Sequence, residues 1–366
     1  MKAKQFLDDI NNTIELNQDR SKRHYLGGSA VGDECLRKLQ YSFRHCAESN
    51  FTASTLKKFD DGHRSEAIYI DRIKAAGYQL QHEENGVQYG FEDIGGWFRG
   101  HRDGKLFKLA VLNNQDAIWE HKSSVGWKKL DNLVSKDEST ALENWNYTYF
   151  VQGQLYMGYD GTKYHFTTCS SEGSRDETAC VTEFNPALFN QIKEKAYKII
   201  TSDNLLPKVS NNPTNFRCKM CDSSDVCHKG KIPKPNCRNC ASLDFLTDGN
   251  CKAKCNKYGH TFENDVKSLA SYYGCHTFLP ELIDSNAIID GLVSFHDTGL
   301  RYQIGDDVFI NGNGDGAISS WDLYQGGLPF VKNPVVQSLL NVMGGTLTKT
   351  VNKEIDFEKP FDINDI

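Results

Sequence analysis

Gly100-His101-Arg102-Asp103-Gly104 and, some fifteen positions on, Ala117-Ile118-Trp119-Glu120-His121-Lys122-Ser123-Ser124 are the two halves of the stretch whose reading decides the fold. Between them lie Lys105–Val111, with apolar Leu106, Leu109 and Val111, and the polar turn Asn113-Asn114-Gln115. This pattern predicts a strand ending near Asp103–Gly104, a hairpin partner, a turn and a further strand. Side chains two apart on a strand point to the same face. Glu120 and Lys122 are therefore expected on one face, together with Ile118. A carboxylate beside an ammonium at a strand end suits metal-assisted hydrolysis. With Asp103 from the neighbouring strand, Glu120 offers oxygen ligands to a hard divalent cation. Lys122 can orient or help deprotonate a water that attacks phosphorus, and can stabilise the charge that develops there. The same residues also occur without such work, since Asp-Gly is a common turn and Glu-x-Lys a common solvated face.

Four further segments separate these readings. They are Ser29-Ala30-Val31-Gly32-Asp33-Glu34-Cys35-Leu36-Arg37, Gly62-His63-Arg64-Ser65-Glu66, Gln152-Gly153-Gln154-Leu155-Tyr156, and the triplet Cys218, Cys221 and Cys227. Taken in order with Asp103, Glu120 and Lys122, they resemble the PD-(D/E)XK nuclease superfamily. The branch they match is the RecB-like one that includes the CRISPR-associated exonucleases of the fourth Cas family. The resemblance spans roughly residues 25–230. It implies a central mixed β-sheet flanked by helices (α/β, or α+β), with Mg²⁺ or Mn²⁺ held by Asp103 and Glu120 and helped by Glu66. It implies Lys122 at the attacking water, and Gln152 and Tyr156 bracing the site or meeting the DNA backbone. It also implies a 4Fe–4S cluster on Cys35, Cys218, Cys221 and Cys227 that closes a nuclease domain over residues 1–230.

The bulk numbers permit this reading. A chain of 366 residues can bury one sizeable core with an appendage, or two cores. Its 39% hydrophobic and 25% charged fractions are ordinary for a globular protein. No apolar run approaches the ~20 residues of a membrane span, and Met1–Asp19 has no signal-peptide core, so a cytoplasmic location is expected. The net charge of −6 gives no general attraction to nucleic acid, so DNA contacts must be local. Twelve cysteines without a secretion signal favour metal or cluster ligation over disulfides.

Along the chain, residues 1–24 read as a polar helix running into basic Arg20–His24. A helix is predicted from Ser29 to Tyr41 and another over Leu56–Ala76, ended by Gly77. His63 stands as a second-ranked ligand beside Glu66. Tyr78–Phe91 and Gly96–Asp103 read as strands. Ser123–Lys129 reads as a loop in which Trp127 either stacks on a base while Lys128 and Lys129 meet phosphates, or anchors the loop in the core. Ala141–Gly158 is predicted as one helix, Tyr164–Cys169 with Thr178–Phe184 as a strand pair, and Pro186–Ser202 as a helix. Cys169 and Cys180 are expected as free thiols, and Cys46 as a small buried hydrophobe.

The second half is rich in cysteine. Two thiols separated by two residues with a third nearby, as in Cys218, Cys221 and Cys227, is ligand spacing for zinc or for iron–sulfur, with His228 an alternative zinc ligand. Cys237, Cys240, Cys251 and Cys255 then read as a zinc ribbon or knuckle over 231–280, with Cys275 or His276 able to displace one of the second pair. Residues 281–366 form an appendage with short strand-like runs, Ala287–Phe295 and Val308–Asn311, and an acidic tail at Asp356–Ile366. There is no phosphate-binding Gly-x-x-x-x-Gly-Lys-Ser/Thr, hence no motor. The expectation is an exonuclease on linear or single-stranded DNA ends, phage-encoded or defence-related, working with recombination or replication proteins and away from membranes. An endonuclease of the same superfamily and a silent DNA-binding scaffold are the alternatives.

Overall fold

The strand predicted around Glu120 runs from Gln115 to Ser123 and is the middle of a five-stranded sheet. The computed structural model describes residues 2–336 apart from 49, 280–281, 283–290, 297–298, 305–306, 314–316, 332 and 335. These residues form two compact units. The first holds residues up to Asp33, Ser49–Asp93 and Phe98–Tyr197; the second holds Glu34–Glu48, Ile94–Trp97 and the chain from Lys198 on. The acidic run Asp356–Ile366 lies outside the described residues.

In chain order the elements are α1 (Lys2–Leu16), β1 (Leu26–Gly27), α2 (Leu36–Phe43), α3 (Ala53–Ala75), β2 (Leu80–Gln81), β3 (Glu83–Glu84), β4 (Val87–Gln88), β5 (Gly90–Asp93), β6 (Phe98–His101), β7 (Gly104–Leu109) and β8 (Gln115–Ser123). After these come α4 (Trp127–Val134), α5 (Glu138–Trp145), α6 (Tyr147–Asp160), β9 (Tyr164–Ser170), β10 (Glu177–Glu183) and α7 (Pro186–Thr201). The main sheet of the first unit has the order β10-β9-β8-β7-β2. Only the β8–β9 pair in it is parallel, so the sheet is mixed, as expected. A smaller sheet, β1-β6-β5, adjoins it along the chain.

The two faces of β8 separate by residue parity. Ala117 and Trp119 pack with Tyr69 of α3, Leu106 and Leu109. Ile118 packs with Tyr156 and Met157 of α6. Helices thus cover both faces, which is why β8 is buried from Ala117 to His121. A third cluster joins Leu130, Ala141, Leu142 and Phe150 to Cys169 and Cys180. These two cysteines are core residues, and none of the twelve is in a disulfide.

Four local expectations are corrected. The helix predicted from Ser29 to Tyr41 starts only at Leu36, because the chain turns after Gly27, where the Ala30 and Val31 amides donate to the Gly27 carbonyl, and Cys35 is extended. The helix predicted over Ala141–Gly158 is two helices, because Asn146 takes an extended conformation and its side chain accepts from the amides of Thr148 and Tyr149, an N-cap that starts a new helix. Ser123–Lys129 is only partly a loop, since Trp127, Lys128 and Lys129 form the first turn of α4. The long strand predicted over Tyr78–Phe91 is broken into β2, β3, β4 and β5 around the turn at Asn85 and Gly86, both with positive φ.

The second unit has its own core, in which Tyr41, Val226, Ile232, Phe278, Tyr302 and Phe309 are buried together. Its sheets are Leu243–Phe245 with Ala253–Cys255 and Thr261–Phe262, and a four-stranded one of Gly291–His296, Gly299–Ile304, Asp307–Gly312 and Ala317–Ile318. Of the strand-like run at 287–295, positions 287–290 lie outside the described residues. Arg44 and Arg238 are both buried here: Arg44 Nη1 donates to the Arg238 carbonyl and Arg238 Nε to that of Phe43. The Arg238 guanidinium lies over the rings of Phe43, Trp97 and Phe245. No helix among the described residues is long and apolar enough to cross a membrane.

Two glycines test this packing in opposite directions. A Cβ on Gly90 would lie 2.0 Å from the carbonyl oxygen of Gly100, a backbone atom that cannot swing away. Gly90→Ala is expected to destabilise the first unit by about 2 kcal/mol or more. Gly62, inside α3, has open space around its Cβ position, and Gly62→Ala is expected to stabilise by roughly 0.5–1 kcal/mol. Thermal unfolding of the two variants checks both signs.

Candidate active site

Asp103 sits in the two-residue hinge between β6 and β7, at the end of the sheet. Its Oδ2 accepts a hydrogen bond of 2.8 Å from the backbone N–H of His121, which fixes it beside β8. Glu120, on β8, is 3% exposed. Its Oε1 accepts from Lys122 Nζ at 2.8 Å and from Gln152 Nε2 at 2.7 Å, whereas its Oε2 is buried without a hydrogen-bond partner. Gln152 Nε2 also lies 3.3 Å from the Tyr156 hydroxyl, which donates to the His101 carbonyl at 2.6 Å. Asp103, Glu120, Lys122, Gln152 and Tyr156 therefore share one place. Tyr156 and Gln152 are spent on bracing the Glu120 carboxylate and the end of β6.

Glu66 reaches the same place from α3, with its Oε1 3.4 Å from Gln88 Nε2. Its carboxyl is pushed up to about 7, by burial first and then by the nearby Asp103 charge. Asp103 is raised by burial against the pull of Lys122, the His121 amide and His63. Glu120 is raised to about 8 by burial, then by Asp103 and, more weakly, Glu66. Burial works to lower Lys122, but Glu120 and Asp103 overcome it and hold the ammonium protonated. Three carboxylates thus face one another with one ammonium among them. One buried carboxylate oxygen is unpaired, and the donor set is hard oxygen. These features fit a divalent cation, which would relieve the repulsion and give Glu120 Oε2 a partner. Among the described residues no three such side chains are already gathered at ligand spacing.

Two residues at this place went unremarked in the sequence. Lys122 Nζ lies 4.9 Å from the centre of the Tyr149 ring, an attraction that fixes the ammonium. The signal was available, because Tyr149, Gln152 and Tyr156 recur at i, i+3 and i+7 on α6. His121 points to the opposite face of the sheet. Its Nε2 is 2.8 Å from Ser65 Oγ, its Nδ1 is 2.9 Å from Thr168 Oγ1, and its ring stacks on Tyr69 at 4.0 Å. Burial, with Lys122 and Arg72 nearby, pushes His121 down to about 3, so it is neutral. The Ser65–His121 contact ties α3 to β8 one residue away from Glu66 on one side and from Glu120 on the other.

Trp127 is half-buried and packs against the Leu130–Leu142 cluster, while Lys128 and Lys129 are exposed, with Lys128 Nζ 5.6 Å over the Trp127 ring. The core-anchoring alternative for Trp127 is the one that its packing matches. In the second unit, Cys35 stands at the N-cap position of α2 and interacts electrostatically with both Cys221 and Cys227, which lie far from it in sequence. Cys218 is buried on the short Phe216–Lys219 helix, its Sγ 3.9 Å from the Ser210 carbonyl. Of the second cysteine set, Cys237, Cys240 and Cys255 line one cavity together with Cys275 and His276, whereas Cys251 does not line it.

Comparison with known proteins gives no matching family model and no matching curated protein. Among solved structures, the chain is similar to SSO0001, with 15% identity and a TM-score of 0.35 over 62% of this chain and 96% of that one. It is similar to an alkaline exonuclease from Laribacter hongkongensis, with 12% identity and a TM-score of 0.33 over 49% of this chain and 87% of that one. It is also similar to a phage-related exonuclease from Haemophilus somnus 129PT, with 14% identity and a TM-score of 0.32 over 45% and 77%.

The raised carboxyls set the pH response of the chelator-treated protein. A carboxyl whose folded value exceeds its unfolded value binds a proton on folding, so its stabilising effect is complete below about pH 4.5 and is lost as pH rises through about 8. Melting temperature in the presence of EDTA is expected to fall between pH 5 and 8, and to fall less steeply in Glu120→Gln. Equal slopes for the two proteins would remove Glu120 as the group responsible.

Proposed function

We propose that this chain is a divalent-metal-dependent nuclease of the RecB-like PD-(D/E)XK type, acting as an exonuclease on linear or single-stranded DNA ends. The observation that carries this reading is the meeting of Asp103, Glu120 and Glu66 with the protonated Lys122 at one end of the central sheet. Asp103, Glu120 and Glu66 are the residues that would hold Mg²⁺ or Mn²⁺. When bound, such an ion neutralises phosphate charge and lowers the pKa of a coordinated water. Lys122, kept charged by its two carboxylate neighbours, acts as a donor. It orients the attacking water and stabilises negative charge developing on phosphorus-bound oxygens. It does not serve as the base while so held. Gln152 keeps the Glu120 carboxylate turned toward the site, and Tyr156 fixes Gln152 and the end of β6. Hydrolysis of this kind rests on positioning and charge stabilisation. Lys128 and Lys129, exposed on the first turn of α4, are the proposed phosphate contacts, and Trp127 supports them from the core.

In the same reading Cys35, Cys218, Cys221 and Cys227 hold a structural 4Fe–4S cluster. The nearness of Cys35 to Cys221 and Cys227 supports it. The thiolates would supply four ligands, and the cluster would close the long stretch of chain between them.

An assay on anaerobically purified protein tests the function. End-labelled linear DNA and covalently closed circles are incubated with Mg²⁺, Mn²⁺ or EDTA, beside Lys122→Ala. Metal-dependent loss of linear DNA that spares circles is expected, with the variant slower by roughly 10²–10⁴-fold. Nicked circles would make it an endonuclease, and intact DNA with folded, metal-loaded protein would leave a binding scaffold. The visible spectrum of the same sample tests the cluster, whose absorption is expected to vanish in Cys35→Ser.

A further inference from the structure

Cys237 and Cys240 flank a 3₁₀ turn, Cys255 ends the Ala253–Cys255 strand, and Cys275 lies just before the bridge that pairs Cys240 with Phe278. All four line one cavity of the second unit. We propose that Cys237, Cys240, Cys255 and Cys275 are the ligands of a structural zinc ion, with Cys251 excluded from the set.

The chemistry of the cavity supports this. The thiols of Cys237, Cys240 and Cys275 are raised by burial, Cys275 to about 12, and every pairing among the four cysteines adds a repulsion between thiolates. Such a group has one low-energy charged state, in which a cation sits between the sulfurs. The backbone around Cys240 is already arranged for a thiolate. The amide of Ser242 points at its Sγ from 3.5 Å, and the Thr277 amide acts on it in the same sense. Lys257, which also lines the cavity, offsets the negative charge of a four-thiolate site at Cys240 and Cys275. The cavity has free space for about one or two water-sized particles, which is room for a single ion. Because the sulfurs do not yet stand at ligand spacing, binding must draw them together and release their protons.

The two neighbours of this set are accounted for otherwise. Cys251 is fully buried, with its Sγ 3.4 Å from the Gly96 carbonyl. His276 also lines the cavity, with Nε2 2.8 Å from Asn239 Oδ1 and Nδ1 buried without a hydrogen-bond partner. It is the competing fourth ligand that the experiment must separate from Cys275. Four protein ligands would leave no open coordination position, so the ion holds the turn, the strand and the segment before Phe278 together and takes no part in chemistry.

The inference is independent of nuclease activity, and its test does not use it. Full-length protein is purified without added metal, and zinc and iron are measured per chain by mass spectrometry. Zinc-edge X-ray absorption then reads the ligands. The expected result is one tightly held zinc with four sulfurs at about 2.3 Å and no nitrogen. Zinc content should be unchanged in Cys251→Ser and in Cys35→Ser, and lost in Cys275→Ser. Three sulfurs and one nitrogen, with zinc kept in Cys275→Ser and lost in His276→Ala, would overturn the ligand set. No zinc, or iron in its place, would overturn the site itself. The absorption spectrum of the unsubstituted protein decides the matter even if the variants fail to fold.

Discussion

Everything at the end of the central sheet depends on an electrostatic conflict. Glu120 is buried on an internal strand, with Asp103 and Glu66 close enough to raise its pKa and only Lys122 to oppose them. Buried carboxylates are costly unless paired or ligated. The surrounding structure is therefore organised to hold them where they are. Gln152 and Lys122 share Glu120 Oε1, and the His121 amide holds Asp103. The remaining oxygen, Glu120 Oε2, is buried and has no hydrogen-bond partner. A fold under selection for stability alone has no reason to assemble such a group. Perturbed titration arising from burial and specific charges together is the pattern of a functional-site candidate.

Holding the group in place requires precision on the far side of the sheet as well. Successive residues of β8 alternate between the two tasks. Ile118, Glu120 and Lys122 face α6 and the site, whereas Trp119 and His121 face α3. The neutral His121, bonded to Ser65 and Thr168 and stacked on Tyr69, fixes the axial position of α3 on β8. Because Ser65 and Glu66 are adjacent in sequence, that contact also sets how far Glu66 extends toward Asp103. Gly100 meets a similar demand in β6, where a Cβ would lie 2.9 Å from the Tyr156 ring and push away the residue that orients Gln152.

How much of this was legible in the sequence depended on how local each signal was. Period-two alternation placed Glu120, Lys122 and Ile118 on one face, because strand geometry forces it. The same rule could not say which face was buried, so the solvated-face alternative stood until α6 was seen to cover it. Glu66 lies 54 positions from Glu120 and was identified only through an ordered resemblance; periodicity had no purchase on a lone glutamate in a helix. The break at Asn146 was missed because apolar periodicity continues across it. The capping signal, an asparagine ahead of a new turn, is weak next to a run of aromatics. Tyr149 went unremarked because aromatics on amphipathic helices are usually core, and its contact with Lys122 depends on the register of α6 against β8.

The cysteines show the limit of spacing most sharply. By spacing alone, Cys251 and Cys255 form a second close pair to match Cys237 and Cys240. Environment sorts them differently. Cys251 takes a positive φ at the turn before the Ala253–Cys255 strand, which directs its Sγ to the Gly96 carbonyl, while Cys255, four residues on, faces the cavity. Cys275 reaches the same cavity because the segment after it returns to pair at Cys240, a long-range event with no sequence signature. Cys169 and Cys180 also stand near each other, yet they sit buried among Leu130, Leu142 and Phe150 as part of an apolar core. What distinguishes a candidate ligand from a buried apolar thiol is thus the company of other thiols, amides aimed at the sulfur and space for an ion. All three are properties of the folded chain rather than of the interval between cysteines.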